Sequence, residues 1–178
     1  MNISNLPLKL FFIFFVCTLP NYASLKDLET YQADFTQTII DQDNSKVVYK
    51  GTFLALKPLK AVWHYDSPVK KSVYINSRQI VIVEPELEQA IYKESNSAFT
   101  LFTILDNATK VDANTYEKRI GEKTYRLSVK KNKIQTLHYR DDFDNNVTIV
   151  FNKQKPNLPL KAKSFHPIIS EDFDIIKE

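Results

Sequence analysis

Ten short extended runs, separated by groups of Asn, Asp, Pro and Lys, constrain the fold of this chain more than any other feature of its sequence. They cover residues 46–56, 61–66, 71–76, 79–84, 88–93, 115–120, 123–130, 133–140, 146–152 and 160–166. Most of the connections have the length of hairpin loops, which join antiparallel neighbours. We therefore predict a largely antiparallel sheet in a single domain, because 178 residues suffice for one substantial core but not for two.

The strands of the N-terminal half carry apolar residues on both faces. In GTFLALKPLKAVWHYDSP, residues 51–68, the first strand reads Phe-Leu-Ala-Leu, and the run 80–83 is apolar throughout. The runs 123–130 and 146–152 instead alternate apolar and polar residues, as in a sheet with one face in water. Two interpretations fit the N-terminal half: helices cover its outer face, or one face lines a cavity for an apolar ligand.

Two segments have the periodicity of helices. Apolar residues recur every three or four positions over 24–40, after a Ser24 and Asp27 pair that resembles a capping box, so we predict a helix there. The segment 97–108, within SNSAFTLFTILDNA, is predicted to form a second helix with apolar groups around nearly its whole circumference. A helix of this kind is covered on two sides or lies over an apolar cavity.

The first 23 residues have the organisation of a secretory signal peptide. Lys9 precedes an apolar run over 10–19, and small residues follow at a predicted cleavage site after Ala23. A membrane-crossing helix needs roughly 20 apolar residues, so an uncleaved anchor is the lesser alternative. We expect a mature domain over 24–178 that contains no cysteine, because Cys17 leaves with the signal peptide.

The sequence lacks the patterns of the common catalytic and cofactor sites. Gly51 and Gly121 are the two glycines, which leaves no glycine-rich phosphate loop and no nucleophile elbow. The three histidines do not have the spacing of metal ligands. A net charge of +3 does not provide the concentrated basic patch of nucleic-acid-binding proteins. We therefore expect a binding protein without a cofactor, a metal or a catalytic centre.

Four stretches in succession resemble the periplasmic outer-membrane lipoprotein carrier family, LolA: YQADFTQTI at 31–39, GTFLALKPLKAVWHYDSP at 51–68, INSRQIVIVEPELEQAIY at 75–92 and FDIIKE at 173–178. The resemblance implies a mainly β fold with some α structure. Its form would be a half-open antiparallel β-barrel, a curved sheet, with short helices as a lid over a hydrophobic cavity for acyl chains. It also implies a periplasmic monomer that takes acylated lipoproteins from an inner-membrane ATP-driven transporter and passes them to an outer-membrane receptor where one exists.

The resemblance also assigns residues to this cavity and its lid: Leu25, Leu28, Phe35, Phe53, Trp63, Tyr65, Phe99, Leu101 and Phe102. Lys57 and Pro58 occupy the position of a latch or docking element, where the family usually has arginine before the proline. In the family that arginine is thought to hold the lid closed. Lysine keeps the charge but lacks the planar five-donor fork, so we expect a latch that is weaker or differently satisfied.

We further hypothesise that the helices at 24–40 and 97–108 move apart when acyl chains enter. An alternative function is a periplasmic lipid or lipoprotein sensor of the same fold, although such sensors usually have a second domain. A hydrolase ranks third, because it would need a nucleophile, a base and an oxyanion site that the sequence does not display.

Overall fold

The computed structural model describes residues 25–95 and 100–178, and its main element is a single curved sheet of 12 strands. The strands are β1 (Thr30–Ile40), β2 (Lys46–Leu56), β3 (Lys60–Ser67), β4 (Lys71–Asn76), β5 (Gln79–Glu84), β6 (Gln89–Glu94), β7 (Thr109–Lys110), β8 (Thr115–Ile120), β9 (Lys123–Lys130), β10 (Lys133–Arg140), β11 (Asn146–Pro156) and β12 (Asp174–Lys177). One α-helix, α1 (Leu101–Leu105), and 3-10 turns at Leu25–Asp27, Pro85–Leu87 and Ala162–Phe165 complete the described elements.

The sheet has the order β12-β6-β5-β4-β3-β2-β1-β11-β10-β9-β8-β7. Its neighbouring strands are antiparallel, except that β12 runs parallel to β6. β1 pairs with β2 on one side and with β11 on the other, so it joins two wings that each run outward as hairpins. The prediction of a mainly β, largely antiparallel fold is therefore confirmed, and the described sheet is open rather than closed into a barrel.

The predicted helix over 24–40 is wrong, because residues 30–40 form the central strand β1. Its side chains alternate between buried and half-buried positions along TYQADFTQTII, which is the period of a strand. A spacing of four residues between apolar positions fits both a helix and a strand. The prediction of a helix was therefore one of two that this spacing allows. Residues 30–40 form a strand because they pair with β2 on one side and with β11 on the other. Their backbone N–H and C=O groups then find partners in these two strands.

Other element boundaries also differ from the predictions. The predicted strand at 160–166 is wrong, since Ala162–Phe165 is a 3-10 turn. The short edge strands β7 and β12 were not predicted, because segments of two and four residues show little periodicity. The second predicted helix is present in part as α1, which begins after Thr100 rather than at residue 97, and residues 96–99 lie outside the described ranges.

A capping box explains where α1 begins. The Thr103 N–H donates to Thr100 Oγ1 at 3.3 Å, and the Thr100 N–H donates to Thr103 Oγ1 at 2.9 Å. These two bonds satisfy backbone donors that the first turn of a helix otherwise leaves without partners.

Both faces of the N-terminal wing are covered, but the prediction of helices on its outer face is wrong, and a cavity for an apolar ligand on the other face stays a prediction. We call the face that carries Phe53 and Trp63 the inner face. On the outer face, Val62 is buried, and the 3-10 turn that contains the buried Phe165 packs against β3 and β4. The cover of this face is therefore a C-terminal turn and not a helix, whereas α1 packs on the inner face within the main core.

Candidate functional site

Four rings form an aromatic wall on the inner face: Phe35, Phe53, Trp63 and Phe151. The register pairs Phe53 directly with Trp63 and Phe35 with Phe151, so strand alternation places all four on one side of the sheet. The ring centroids of Phe53 and Trp63 are 4.0 Å apart, and Phe35 meets Trp63 edge-on at 5.0 Å. Phe151 closes the wall at 5.9 Å from Phe53. The wall therefore crosses the central junction between the two wings.

Helix α1 covers this wall. Phe102 and Ile104 each have 0% of their surface exposed, and Leu101 is buried beside them. The residues that line the space between α1 and the wall are Thr100, Leu101, Ile104, Phe53, Trp63, Leu137 and Phe151. The volume of this cavity is about 10 Å³, close to the ~10–15 Å³ needed for a single water molecule. The space between α1 and the wall, which we call the cleft, is thus too small for a ligand in the described structure.

Lys57, in the turn between β2 and β3, links α1 to the segment that precedes β1. Its Nζ lies 5.7 Å from the centroid of the Phe102 ring and 3.5 Å from Glu29 Oε1. Its backbone N–H donates to the Glu29 carbonyl at 2.9 Å, and its side chain is 22% exposed. The peptide bond from Lys57 to Pro58 is cis. The ammonium group of Lys57 therefore makes a cation–π contact with α1 and an ion pair with the segment that precedes β1.

The far end of the inner face is polar and rich in tyrosine. The Tyr65 hydroxyl donates to Oε1 of the buried Gln37 at 3.0 Å. Lys71 Nζ lies 5.1 Å from the Tyr65 ring centroid and 5.5 Å from that of Tyr49. Burial, with a smaller contribution from Tyr49, raises the pKa of Tyr65, so its hydroxyl stays protonated and remains a donor. The inner face therefore changes along the strands from an apolar half beneath α1 to a polar half.

The structure brings eight of the nine predicted cavity and lid residues into one apolar cluster: Leu25, Leu28, Phe35, Phe53, Trp63, Tyr65, Leu101 and Phe102. The ninth, Phe99, lies outside the described residues. Leu25 and Leu28 precede β1 on a 3-10 turn and its extension, not on the predicted long helix. Their roles in binding remain predictions, as do those of Lys57 and Pro58.

Sequence reasoning missed four residues that line the cleft: Thr100, Ile104, Leu137 and Phe151. Phe151 follows from the alternation in 146–152 only when the register with Phe35 is known. Thr100 could have been found from its spacing of three residues to Thr103, which is the spacing of a capping box.

The described residues do not form a metal centre. Within 25–95 and 100–178, no three His, Cys, Asp or Glu side chains converge in a way that would hold an ion. His64 Nδ1 lies 2.8 Å from Ser72 Oγ, and His138 Nδ1 lies 2.8 Å from Thr148 Oγ1. These histidines make ordinary cross-strand contacts. None of the helices in this part of the chain has the length and apolar character that a membrane crossing requires.

Comparisons with known proteins give consistent results. A family model described as "Outer membrane lipoprotein carrier protein LolA" matches residues 26–167. An outer-membrane lipoprotein carrier protein from Campylobacter jejuni is 32% identical over 169 residues, which cover 95% of this chain and 99% of the relative. A protein of the same name from Helicobacter pylori is 33% identical over 156 residues, covering 86% of this chain and 83% of the relative.

One solved structure, of an uncharacterized conserved protein from Thermus thermophilus, has a TM-score of 0.53 at 8% sequence identity. The match covers 86% of this chain and 93% of the other. At this level of identity the likeness concerns the fold alone.

Proposed function

This chain belongs to the LolA family of outer membrane lipoprotein carrier proteins, and we propose that it is a periplasmic chaperone that carries acylated lipoproteins from the inner to the outer membrane. The names of its relatives support the carrier function rather than the sensor alternative. The family is one of carriers, so a hydrolase is not proposed. The predicted signal peptide at 1–23, with a mature domain over 24–178, supports the periplasmic location.

The observation that carries this proposal is the packing of α1 on the aromatic wall. A helix of five residues is not stable in water by itself, so α1 depends on its contacts with the wall. Burial of its apolar side chains contributes roughly 1.5–3 kcal/mol each. Acyl chains offer the wall the same kind of apolar contact, so lipid can take the place of α1 without leaving the wall exposed to water.

Opening of α1 is required before lipid enters. A cleft of about 10 Å³ is far smaller than the roughly 300–1,000 Å³ of ordinary ligand pockets. The moving element is α1 alone and not two helices, because residues 30–40 form the strand at the centre of the sheet. We propose that α1 swings from the wall while the sheet keeps its register.

The energetics favour transfer from partner to partner. Three acyl chains of about fifteen methylenes each represent roughly 36 kcal/mol of transfer from water, at ~0.8 kcal/mol per methylene. This exceeds the practical ceiling of about 18–21 kcal/mol for non-covalent affinity. The carrier therefore receives cargo directly from a membrane machine, for which we propose an inner-membrane ATP-driven transporter. An outer-membrane receptor, or the membrane itself, is the proposed acceptor.

Purification of the exported protein from the periplasm tests this function. We expect native mass spectrometry to detect an acylated lipoprotein bound to a chain that begins at Ser24, because the signal peptide at 1–23 is removed on export. The matched control is the same domain, 24–178, produced in the cytosol without the signal, where mature lipoproteins are not encountered and the protein should be empty. An empty exported protein, even when lipoprotein release is overdriven, would contradict the carrier function and favour the sensor.

We propose that Lys57, with Pro58, is the latch that favours the closed position of α1. Replacing Lys57 by methionine removes its cation–π contact and its ion pair, worth together about 1 kcal/mol. We expect amide hydrogen exchange in α1 to become roughly fivefold faster. Lys57→Arg should keep exchange at or below the wild-type rate, because guanidinium stacks well on aromatic rings.

The matched control for the latch is Lys93→Met. Lys93 forms an ion pair with Glu178 at 3.0 Å beside the edge strand β12, away from α1. This variant should leave exchange in α1 unchanged. Equal exchange rates in α1 for Lys57→Met and the wild type would show that Lys57 is not the latch.

A further inference from the structure

The Tyr31 hydroxyl is a buried donor without a hydrogen-bond partner among the residues that the structure describes. Tyr31 lies on the inner face of β1 and is only 2% exposed. Its direct neighbours across the strands are Ala55 in β2 and Pro156 in β11, whose side chains offer no acceptor. Buried polar groups are nearly always hydrogen-bonded, because leaving one unpaired costs free energy. This hydroxyl therefore requires an explanation.

The position of Tyr31 connects it to the cleft beneath α1. Its ring centroid is 6.2 Å from that of Phe53 and 6.0 Å from that of Phe151, which it meets edge-on. Both of these rings line the cleft. Burial raises the pKa of Tyr31, so the hydroxyl remains protonated and able to donate. Phenylalanine would fill the same space without a buried hydroxyl, so packing alone does not account for tyrosine here.

We propose that the Tyr31 hydroxyl donates a hydrogen bond to a carbonyl oxygen of the ester or amide that joins an acyl chain to the cargo. This inference rests on the proposed carrier function and makes the cleft selective for acylated cargo over plain hydrocarbon. Tyr31 lies two residues after Glu29, which pairs with Lys57, so the proposal places the carbonyl end of the lipid beside this charged turn. From there the chains extend over Phe53 and Trp63, which occupy the next row of the inner face.

The test compares Tyr31→Phe with the wild-type domain, 24–178, on three synthetic probes. The first is a cysteine peptide whose glyceryl group carries two ester-linked chains, and the second is its diether analogue without those carbonyls. The third is the diether peptide with an added amide-linked chain. Trp63 is the only tryptophan and lines the cleft, so quenching of its fluorescence by brominated chains reports binding.

If an ester carbonyl is the acceptor, Tyr31→Phe should weaken binding of the diester peptide about threefold to tenfold, the effect of one hydrogen bond. Binding of the diether peptide should not change. The third probe distinguishes the two carbonyl sources, because its affinity falls in the variant only if the amide is the acceptor. The empty variant should melt about 2 °C higher than the wild type, since a buried unpaired hydroxyl has been removed.

Tyr74→Phe is the matched control, because Tyr74 lies on the outer face and its hydroxyl is bonded to the Ser72 side chain. It should change no binding constant and should not raise the melting temperature. The inference is overturned if Tyr31→Phe binds all carbonyl-bearing probes like the wild type, weakens all three probes equally, or melts lower. If the wild type binds none of the probes, the carrier function itself fails, and the inference fails with it.

Discussion

Replacing Ile104 by aspartate is expected to detach α1 from the aromatic wall and abolish retention of acylated lipoproteins. Ile104 has 0% of its surface exposed and lines the cleft between α1 and the wall. An unpaired carboxylate in such a position costs several kcal/mol, which is comparable to what the packing of a five-residue helix contributes. The helix can avoid that cost by leaving the wall. An aspartate on its apolar face would also keep α1 from packing over bound acyl chains, so the cargo would face water.

Three measurements follow this change. The emission of Trp63 should shift to the red, because it is the only tryptophan and α1 no longer covers it. Native mass spectrometry of the exported variant should find no bound lipoprotein. The circular dichroism of the sheet should persist, since α1 contributes no strand to it. Aspartate at Phe102 is a less clean test, because Lys57 Nζ lies 5.7 Å from that ring and would attract the carboxylate.

Ile168→Asp is the matched control for Ile104→Asp. Ile168 is 90% exposed, so the same chemical change at this position desolvates no charge. It should leave both Trp63 emission and lipoprotein retention as in the wild type. Normal retention by a folded Ile104→Asp protein would mean that α1 is not the lid.

Replacing Gly51 by alanine is expected to lower the free energy of unfolding by about 3 kcal/mol. A Cβ atom at this position would lie 1.9 Å from the backbone carbonyl oxygen of His64 and 3.0 Å from the Phe35 ring. The register of β2 and β3 shifts between Lys50 and Gly51, so the strands already approach each other irregularly here. Relief of the clash requires backbone movement, which displaces Phe35 from the aromatic wall.

Denaturant unfolding measures this loss, and Gly121→Ala is the matched control. Gly121 has a φ of +58°, but a Cβ added there would have no other atom within 4 Å. Its replacement should cost only ~1 kcal/mol, the strain of a left-handed backbone. A smaller loss for Gly51→Ala than for Gly121→Ala would show that the close approach of β2 and β3 does not limit stability.

Much of the C-terminal wing could be predicted from the sequence because its signals are local. The strands β8, β9 and β10 have the predicted bounds, since alternation and turn residues mark each one. The candidate site was harder to predict. Trp63 and Leu101 were assigned to it through the family resemblance, whereas Leu137 and Phe151 belong to a wing that reaches the cleft only through the pairing of β1 with β11.

The sequence by itself determined the mainly β character of the protein and the two-sided apolar character of its N-terminal strands. Both properties depend on residue type and on the alternation of apolar and polar residues at every second position. These signals can be read within a few neighbouring residues. Only the tertiary structure decided that residues 30–40 form a strand, that Phe165 covers the outer face, and that α1 packs on the aromatic wall. These outcomes depend on contacts between residues that are far apart in the chain. A local sequence pattern does not show which strands will pair or which side chains will bury one another.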